Sequence, residues 1–439
     1  MQDGRGLAWT RRFPVGPAHF RVARRRAIWK PRVEGALERT LAENAEGNLP
    51  RSFDGLRVLD FSTTIAGPHC TRMLADTGAE VIKIETAEGE TMRTRPPLRN
   101  GCSTAFGQLN VGKQSLVLDL KSAEGVEAVR RLIATADVLV ENFRPGVMRR
   151  LRLDYASISD INPKLVYCSI SGYGQTGPSA ELPAYAPVIH AASGYEMAHL
   201  AYQPGRSRPD YCGIYHADVL TGVYAFGAIS AALYQRSASG KGQHIDVSML
   251  ESMLSLTLNE VQWSQFEVSP PQRPMFGPIG TIDGYVMVAI ASEKTFQSLM
   301  QVIGRPEWIA DPRFAKYADR RENWAGLMEG VEGWSRAIST EACLAALNEQ
   351  GVPSSAYRTV REALADPQIA HRGALAEVED GGGSFKVLNL PFRMSGARVA
   401  AAPRMSTLGQ HTLSHLKEIG LSADEIARFS AQAPKSARG

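Results

Sequence analysis

The sequence contains few cysteines, and their spacing forms no known framework. The five cysteines lie far apart, with no C-x-x-C pair: Cys70, Cys102, Cys168, Cys212 and Cys343. This spacing argues against the disulfide scaffold of a small secreted domain and against a paired-cysteine metal site. Free thiols are typical of a reducing compartment, so the sequence predicts a cytoplasmic protein with no metal site.

Long apolar runs and strong net charge are also missing. No unbroken apolar run reaches the roughly 18 residues of a membrane span, so no membrane partner is expected. The formal net charge is only +4, and the basic residues are not gathered in one long run, which argues against a nucleic-acid partner. The motifs G-x-S-x-G and H-E-x-x-H are absent, and "SGKG" at 239–242 lacks the P-loop spacing.

The length and the first residues of the chain indicate its organisation. A chain of 439 residues exceeds what one hydrophobic core usually organises, so two domains are expected. Residues 1–50 are rich in arginine, and we interpret them as a basic, disordered extension, with an organellar transit peptide as the alternative. Residues 51–260 are predicted to form a large α/β domain, and residues 261–335 a small α+β domain.

Alternating strand and helix patterns fill the large domain. "LRVLDFS", "EVIKIE" and "DVLVEN" are apolar on both faces and are separated by helical segments, which predicts a doubly wound parallel sheet. Such sheets bind ligands at the carboxyl ends of their strands. Phe143 and a cluster of Arg144, Arg149 and Arg150 follow one of these ends. Guanidinium groups bind phosphate and an aromatic ring stacks on a purine, so this segment is a candidate nucleotide site.

Six sequence blocks, taken together, resemble one family. They are "GLRVLDFSTTIAGPHCTRMLADTGAEVIKIE", "LNVGKQSLVLDLKSAEG", "ADVLVENFRPGVMRRLRLDY", "NPKLVYCSISGYGQTGP", "ADVLTGVYAFGAISAALYQRSASGKGQHIDVSMLES" and "DGYVMVAIAS". In this order they resemble the class III CoA-transferases of the CaiB/BaiF type, which include carnitine and formyl-CoA transferases and α-methylacyl-CoA racemases. The resemblance covers roughly residues 54–430.

The resemblance implies a fold, a reaction and a set of partners. It implies a Rossmann-like large domain completed by residues 400–439, reached through a linker over 336–399, and an interlocked homodimer or a heterodimer with a paralogue. The implied reaction moves CoA between an acyl-CoA thioester and a carboxylic acid through an enzyme-bound intermediate. The implied CoA-binding residues are Ala66, Arg93, Leu118, Lys121, Asn142, Phe143 and Arg150.

The acids that the resemblance implies are missing from their expected positions. The transferases use an Asp as covalent nucleophile, in a D-G-P-P-like turn about a dozen residues before the position of Asp218. Here Arg206 and Ser207 stand near that place. The racemase branch pairs an Asp with a His, and the position of that Asp aligns with Ala186. Asp218 itself, at a helix start, is interpreted as an N-cap or a structural hydrogen-bond acceptor.

Three other residues are therefore candidates for catalysis. Asp210 or Glu196 is a candidate substitute for the missing nucleophile. His190 is a candidate base, which with Glu196 would perform α-proton chemistry of a racemase, isomerase or hydratase-like kind. A further alternative is a non-catalytic CoA-binding subunit of a heteromeric transferase.

Overall fold

A computed structural model describes residues 49–203, 205–210, 212–267, 276–290 and 292–432. The basic extension predicted for residues 1–50 lies outside the described residues except for its last two. In the described part of the chain the strands are β1 (Arg57–Asp60), β2 (Glu80–Glu85), β3 (Leu98–Arg99), β4 (Cys102–Ser103), β5 (Gln114–Val117), β6 (Val138–Glu141), β7 (Val166–Ser171), β8 (Gln243–Ser248), β9 (Phe276–Gly280), β10 (Tyr285–Ala289), β11 (Ser354–Ala356), β12 (Leu375–Asp380) and β13 (Gly383–Leu388).

The α-helices of the same residues connect and cover these strands. They are α1 (Ala66–Asp76), α2 (Thr104–Asn110), α3 (Ala123–Ile133), α4 (Val147–Arg150), α5 (Tyr155–Ile158), α6 (Ala186–Ala192), α7 (Tyr195–Ala201), α8 (His216–Ser239), α9 (Met249–Leu254), α10 (Leu258–Trp263), α11 (Glu293–Val302), α12 (Tyr317–Glu322), α13 (Trp324–Ser335), α14 (Thr340–Glu349), α15 (Val360–Leu364), α16 (Pro367–His371), α17 (Thr412–Glu418) and α18 (Ala423–Gln432). Short 3₁₀ turns span Thr91–Thr94 and Pro306–Ile309.

Six strands form one parallel sheet in the order β5-β2-β1-β6-β7-β8. If these strands are counted alone in chain order, the arrangement is 3-2-1-4-5-6, the strand order of a dinucleotide-binding Rossmann sheet. The predicted doubly wound α/β fold is therefore confirmed. The strand order reverses between β1 and β6, so the chain leaves their carboxyl ends in opposite directions and opens a crevice there.

The sheet is buried on both faces because its side chains alternate between two hydrophobic cores. Val58 and Val138 point to one core with residues of α1 and α8, such as Leu74 and Ile229. Their chain neighbours, including Leu59, point to the other core, which contains helix α3 together with residues from the two C-terminal helices α17 and α18. The last described helices thus pack against a sheet whose strands lie between residues 57 and 248.

A separate hydrophobic core belongs to the segment after the main sheet. Strands β9, β10 and β11 form an antiparallel sheet whose side chains pack with helices α11, α13 and α14. The strand β11 comes from the segment that the sequence analysis assigned to a linker. The β12–β13 hairpin packs through Val378 and Val387 against Val111 after α2. The domain boundaries given above stay predictions.

Helix α8 has the length and composition of a membrane-spanning helix, although its sequence contains no long unbroken apolar run. Its Gly, Ala and Ser residues interrupt the larger apolar side chains. One face, including Ala225 and Ile229, packs on α1 and the main sheet. The helix therefore has the burial pattern of a core helix along that face, and it positions its first turn at the carboxyl ends of the strands.

Candidate active site at the switch point of the sheet

A cavity of about 300 Å³ lies at the crevice between β1 and β6. Its walls come from the segments that follow β1, β6 and β7 and from the first turns of α6 and α8. The lining residues are Thr63, Thr64, Ile65, Ala66, Asn142, Phe143, Arg144, Pro145, Ile170, Ser171, Gly172, Ala180, Leu182, Ala184, Tyr185, Ala186, Pro187, Tyr215, Asp218 and Met249. Open α/β sheets bind their ligands in this place, and the volume suits a small molecule or part of a larger one.

The loop after β1 is held in shape by side chains from two other segments. Asn142 Oδ1 accepts the N–H of Thr63 at 2.8 Å, and Asn142 Nδ2 donates to the carbonyl of Thr63 at 2.8 Å. The N–H of Thr64 donates to Glu90 Oε1 at 2.6 Å. Thr64 has a φ of 69°, a left-handed conformation that is uncommon outside glycine. These three hydrogen bonds keep the backbone in that conformation at the cavity edge.

A buried charge cluster lies beneath this loop. Lys113 Nζ contacts Asp60 Oδ2 at 2.9 Å, and Lys83 Nζ pairs with Glu90 Oε2 at 2.7 Å and donates to the carbonyl of Ser62 at 2.8 Å. Burial raises the pKa of Asp60, but the ammonium groups of Lys113 and Lys83 outweigh it and hold that pKa well below its usual range. Burial lowers the pKa of Lys113 to about 8, which Asp60 opposes and Lys83 reinforces. This charge cluster fixes the loop from below without facing the cavity.

Asp218 brings a carboxylate to the cavity wall. It lies in the first turn of α8, where Tyr215 is the N-cap and no side chain caps the helix, so its interpretation as an N-cap is wrong. The backbone N–H of Ala66 donates to its carboxylate, as the alternative interpretation expected. Burial raises the pKa of Asp218 to about 6, while the Ala66 N–H acts in the opposite direction.

A glycine allows α8 to approach α1 this closely. Gly222 lies one helical turn after Asp218, and a Cβ on it would lie 2.7 Å from the carbonyl oxygen of Ala66. A real Cβ does not tolerate that distance to a backbone atom, so only glycine permits this packing. The sequence shows the glycine four residues after Asp218, but that spacing alone does not reveal the contact of α8 with α1.

A basic groove continues from the cavity along the protein surface. A depression of about 660 Å³ shares Pro145 and Ala180 with the cavity and is lined by Arg149, Arg150 and Gln175. Arg150 also lines the next depression, of about 700 Å³, whose other lining residues include Lys121 and Arg130. The groove therefore carries several cations outward from the cavity, an arrangement suited to a long ligand with phosphate groups.

Residues 172–177, "GYGQTG", line part of the cavity and the groove and have the spacing G-x-G-x-x-G after a strand. No helix begins at this segment, so it is not the Rossmann fingerprint, in which the third glycine opens a helix.

The structure brings together five of the seven residues predicted to bind CoA. Ala66, Asn142 and Phe143 line the cavity, and Lys121 and Arg150 line the groove. The other two predicted residues lie elsewhere.

The remaining two predicted CoA-binding residues face the protein interior. The Leu118 side chain is buried in the core. Arg93 makes a bidentate ion pair with Glu85, with both N–O distances 2.7 Å, and its guanidinium lies 4.2 Å from the centre of the Phe106 ring. That ion pair uses the fork that would otherwise bind a phosphate.

None of the three candidate catalytic residues lines the cavity. Asp210 is exposed and forms an ion pair with Arg206. His190 is buried on α6, where its Nε2 accepts the N–H of Ala217 at 3.2 Å and its Nδ1 lies 3.7 Å from Glu196 Oε1. Burial and His216 lower the pKa of His190, and Glu196 opposes them. The catalytic roles of Asp210, Glu196 and His190 stay predictions.

The fold also brings His190, Cys212 and His216 together, although the cysteine spacing predicts no metal site. Their candidate ligand atoms lie within 4.8 Å of one another. The N–H of Ala217 occupies the Nε2 lone pair of His190, which assigns the ring proton of the neutral imidazole to Nδ1. In that tautomer neither nitrogen of His190 offers a lone pair to a metal ion.

A further buried carboxylate lies behind the cavity. Glu141, the last residue of β6, accepts the N–H of Phe143 at 2.9 Å and a hydrogen bond from Ser169. Burial raises the pKa of Glu141 to about 7, against the lowering effect of these two hydrogen bonds. Ser169 in turn contacts His244 Nε2 at 3.0 Å. Glu141 fixes the backbone that presents Asn142 and Phe143 to the cavity.

Comparison with known proteins agrees with this geometry. Residues 53–412 match the model of CoA-transferase family III. The chain is 33% identical to a succinate–glutarate CoA-transferase of Agrobacterium fabrum, covering 83% of this chain and 95% of that protein, and 38% identical to an acetyl-CoA:oxalate CoA-transferase of Acetobacter aceti, covering 78% and 89%. A solved CaiB/BaiF family protein from Brucella suis is 34% identical, with a TM-score of 0.74, covering 84% of this chain and all of that one.

The fold, the cavity at the switch point and the basic groove agree with the family match over most of the chain. The predicted family and reaction are confirmed. The chain belongs to CoA-transferase family III and is an enzyme that moves CoA between an acyl-CoA thioester and a carboxylic acid.

Proposed function

We propose that the chain transfers CoA between short carboxylic acids, at least one of which is a dicarboxylate. The observation that carries this proposal is that the described residues lining the cavity include one carboxylate, Asp218, and one cation, Arg144. The relatives named above act on succinate, glutarate, acetyl-CoA and oxalate, according to their names. A cavity of about 300 Å³ suits an acyl group of a few carbons.

The CoA moiety is proposed to lie along the basic groove, with its thioester in the cavity. Arg149, Arg150 and Lys121 supply positive charge for the phosphate groups, and the ring of Phe143 offers an apolar wall near the cavity mouth. The thiol end of CoA then extends past Pro145, which lines both the groove and the cavity. This orientation delivers the thioester carbon to the wall that holds Asp218.

Arg144 is proposed to bind the free carboxylate of the dicarboxylic acid. It is the one cationic side chain among the described lining residues, and its side chain is exposed at the cavity. A guanidinium binds a carboxylate through two parallel hydrogen bonds, which fixes the position of the acid's far end. The carboxyl group that reacts is then held inside the cavity, and a monocarboxylic acid lacks this interaction.

The test measures CoA transfer with succinyl-CoA or acetyl-CoA as donor and glutarate, oxalate or acetate as acceptor, with the new thioester detected by chromatography. Arg144→Gln is expected to raise KM for the dicarboxylates by about tenfold or more, the loss expected for a charge-assisted hydrogen-bond pair. Its KM for acetate should change little. Arg149→Gln is the matched control for the loss of a guanidinium group, since Arg149 lines the groove and not the cavity.

Two outcomes would overturn this proposal. If wild-type protein binds CoA but forms no new thioester with any donor and acceptor of the panel, the chain does not transfer CoA between short acids. If Arg144→Gln changes KM for acetate and glutarate equally, Arg144 does not select dicarboxylates.

We further propose a homodimer in the cytoplasm. The outer side of α8 exposes Val219, Val223 and Tyr224 in the described part of the chain, and an apolar surface of this kind suits a second copy of the chain. All five cysteines are free, which suits a reducing compartment. Light scattering coupled to size-exclusion chromatography measures the mass in solution, and a monomer at micromolar concentration would contradict the dimer.

A further inference from the structure

We infer that Glu141 is a positioning residue whose proton is linked to CoA binding: the groove binds CoA more tightly when Glu141 is neutral than when it is charged. This inference rests on the placement of CoA along the basic groove that is proposed above. It adds a buried carboxylate, behind the cavity, that makes the affinity for CoA depend on pH.

Three polar side chains lie side by side on adjacent strands behind the cavity. In the parallel sheet Glu141 of β6 pairs with Ser169 of β7, which in turn pairs with Asp246 of β8. The Glu141 carboxylate accepts the N–H of Phe143, which lines the cavity, at 2.9 Å. The Asp246 carboxylate accepts the N–H of Gln175, which lines the groove, at 2.9 Å. The two acids therefore hold two segments that line the proposed CoA site.

Glu141 is connected to the solvent through a chain of hydrogen bonds. Ser169 donates to the charged carboxylate of Glu141, and its hydroxyl lies 3.0 Å from Nε2 of His244. Glu141 and Ser169 are buried, whereas His244 is exposed on β8, the edge strand of the sheet. When Glu141 binds a proton, its O–H donates to Ser169, and the Ser169 hydroxyl turns to donate to the imidazole. A proton can therefore reach the buried carboxylate without opening of the sheet.

The surroundings favour the neutral form at both ends of this chain. Burial raises the pKa of Glu141 to about 7, and the nearby charge of Asp246 acts in the same direction. The His244 ring stacks on Tyr155 with 5.6 Å between the ring centres. Removal of the ring from water lowers the pKa of His244, which Asp246 and Asp154 oppose. Glu141 therefore changes its charge near neutral pH while His244 is neutral.

The other titratable and charged side chains around Glu141 come from β7 and from the segment between β6 and β7. They are Arg144, Arg149, Asp154, Tyr155, Tyr167 and Cys168. Burial raises the pKa of the Tyr167 hydroxyl and of the Cys168 thiol well above neutral, so both stay uncharged.

A separate cavity of about 280 Å³ lies between Glu141 and the basic groove. Gly146, Arg149 and Gln175 line both this cavity and the groove, and Arg144 lines both this cavity and the main one. The guanidinium groups of Arg144 and Arg149 make no hydrogen bond or ion pair with any other described residue. They are therefore available to pair with a phosphate of CoA or with a charged Glu141.

The direction of the pH dependence follows from the charge of CoA. CoA is an anion because of its phosphate groups, so it disfavours a negative charge on a nearby carboxylate, and Glu141 keeps its proton to a higher pH in the complex than in the free protein. By linkage, the protein with neutral Glu141 binds CoA more tightly. The dissociation constant is therefore lowest at acidic pH, rises as the pH passes the pKa of about 7 in the free protein, and levels off above the pKa in the complex.

The test measures the dissociation constant for CoA by calorimetry between pH about 6 and pH about 9, for wild type and for Glu141→Gln. Glutamine is uncharged over this range, and like the protonated acid it accepts the N–H of Phe143 and donates to Ser169. The ratio of the wild-type constant to the variant constant cancels the titration of the CoA phosphates, which both proteins share. This ratio should be about 1 at pH about 6 and should rise to about fivefold or more above pH about 8.

Two further readouts identify the proton that is involved. In buffers of different ionisation enthalpy at pH about 7.5, wild type should take up more protons on binding CoA than Glu141→Gln does. Ser169→Ala removes a hydrogen bond that stabilises charged Glu141, so the rise in its dissociation constant should begin at a higher pH than in wild type. The direction of this shift tests the inference even where Glu141→Gln does not fold.

Asp154→Asn is the matched control. Asp154 is another carboxylate that lines the cavity beside Glu141, and it is not part of the hydrogen-bonded chain. Its replacement should change the affinity for CoA by the same factor at every pH of the series.

The outcomes distinguish the inference from the proposed function. A ratio that stays flat or falls between pH about 6 and pH about 9, or equal proton uptake by the two proteins, would show that the proton of Glu141 is not linked to CoA binding. The placement of CoA is tested separately with Arg150→Gln, which should weaken CoA binding because Arg150 lines the groove. If Arg150→Gln binds CoA as wild type does, the proposed placement fails. If it binds CoA more weakly and the ratio is flat, only the role of Glu141 is refuted.

Discussion

The burial of Asp218 predicts a pH-dependent stability that the Asp218→Asn variant should remove. The pKa of Asp218 rises from 3.8 to about 6 because burial disfavours its charged form. The folded state therefore binds the proton more tightly than the unfolded state. The associated stability is fully present below the unfolded pKa and is lost as the pH rises through the folded pKa. Asparagine has nearly the same shape as aspartate and no charge, so the Asp218→Asn variant does not lose stability over this pH range.

The size of this change in stability follows from the pKa shift of Asp218. A change of about two pKa units corresponds to about 3 kcal/mol between the two protonation states. Asp218 is only half-buried and faces a cavity that admits water, so we expect about 2 kcal/mol. As the pH rises from about 4 to about 7, Asp218→Asn should become more stable than wild type by about 2 kcal/mol of unfolding free energy. Above that pH the difference should stay constant.

Denaturant unfolding of both proteins at several pH values measures this difference. Asp210→Asn is the control, because it removes an exposed carboxylate outside the cavity, and its difference from wild type should be flat over the same range. If the Asp218→Asn difference is also flat, or if the variant is less stable than wild type at pH about 7.5, then burial does not destabilise the charged carboxylate and the reasoning fails.

Three further predictions concern the groups around the cavity. Asn142→Ala removes both hydrogen bonds to Thr63 and should raise KM for acyl-CoA by about tenfold in steady-state assays, with kcat changing less. Glu141→Gln should remove the part of the fall in stability that Glu141 adds to that of Asp218 as the pH rises from about 4.5 to about 7, as followed by thermal midpoints at each pH. Gly222→Ala places a Cβ 2.7 Å from the carbonyl of Ala66 and should cost about 1–3 kcal/mol of unfolding free energy, whereas Gly227→Ala, whose Cβ meets no atom within 4 Å, should not destabilise α8.

The main sheet could be predicted because its signal is local. Each strand is a short run that is apolar on both faces, and Val58 and Leu59 show why, since neighbouring residues enter different cores. Asn142 and Phe143 were found because residues that directly follow a strand reach the carboxyl edge of the sheet whatever the rest of the fold does. The groove residues Lys121 and Arg150 followed from the family resemblance.

The position of Asp218 could not be predicted because it depends on a contact between distant segments. An aspartate near the start of a helix has the same local pattern whether it caps the helix or faces a cavity. The choice is made by the close approach of α8 to Ala66, which requires the fold itself. Conversely, Asp210 and Glu196 lie near the expected position along the chain, yet one is exposed to solvent and the other lies against His190.

The shape of the site and its selectivity depend on different residues. The charge cluster beneath the cavity loop fixes the shape, and exposed wall residues contact the acid. Asp60, Lys83 and Lys113 hold the backbone from below, while Leu182 and Tyr185 on the cavity wall leave more than half of their surface exposed. Side chains that contribute little to folding can be exchanged at small cost in stability. Substitutions at these two wall positions are therefore the natural route by which evolution, or an engineer, would adapt this protein to a different acid while leaving its CoA groove and its fold intact.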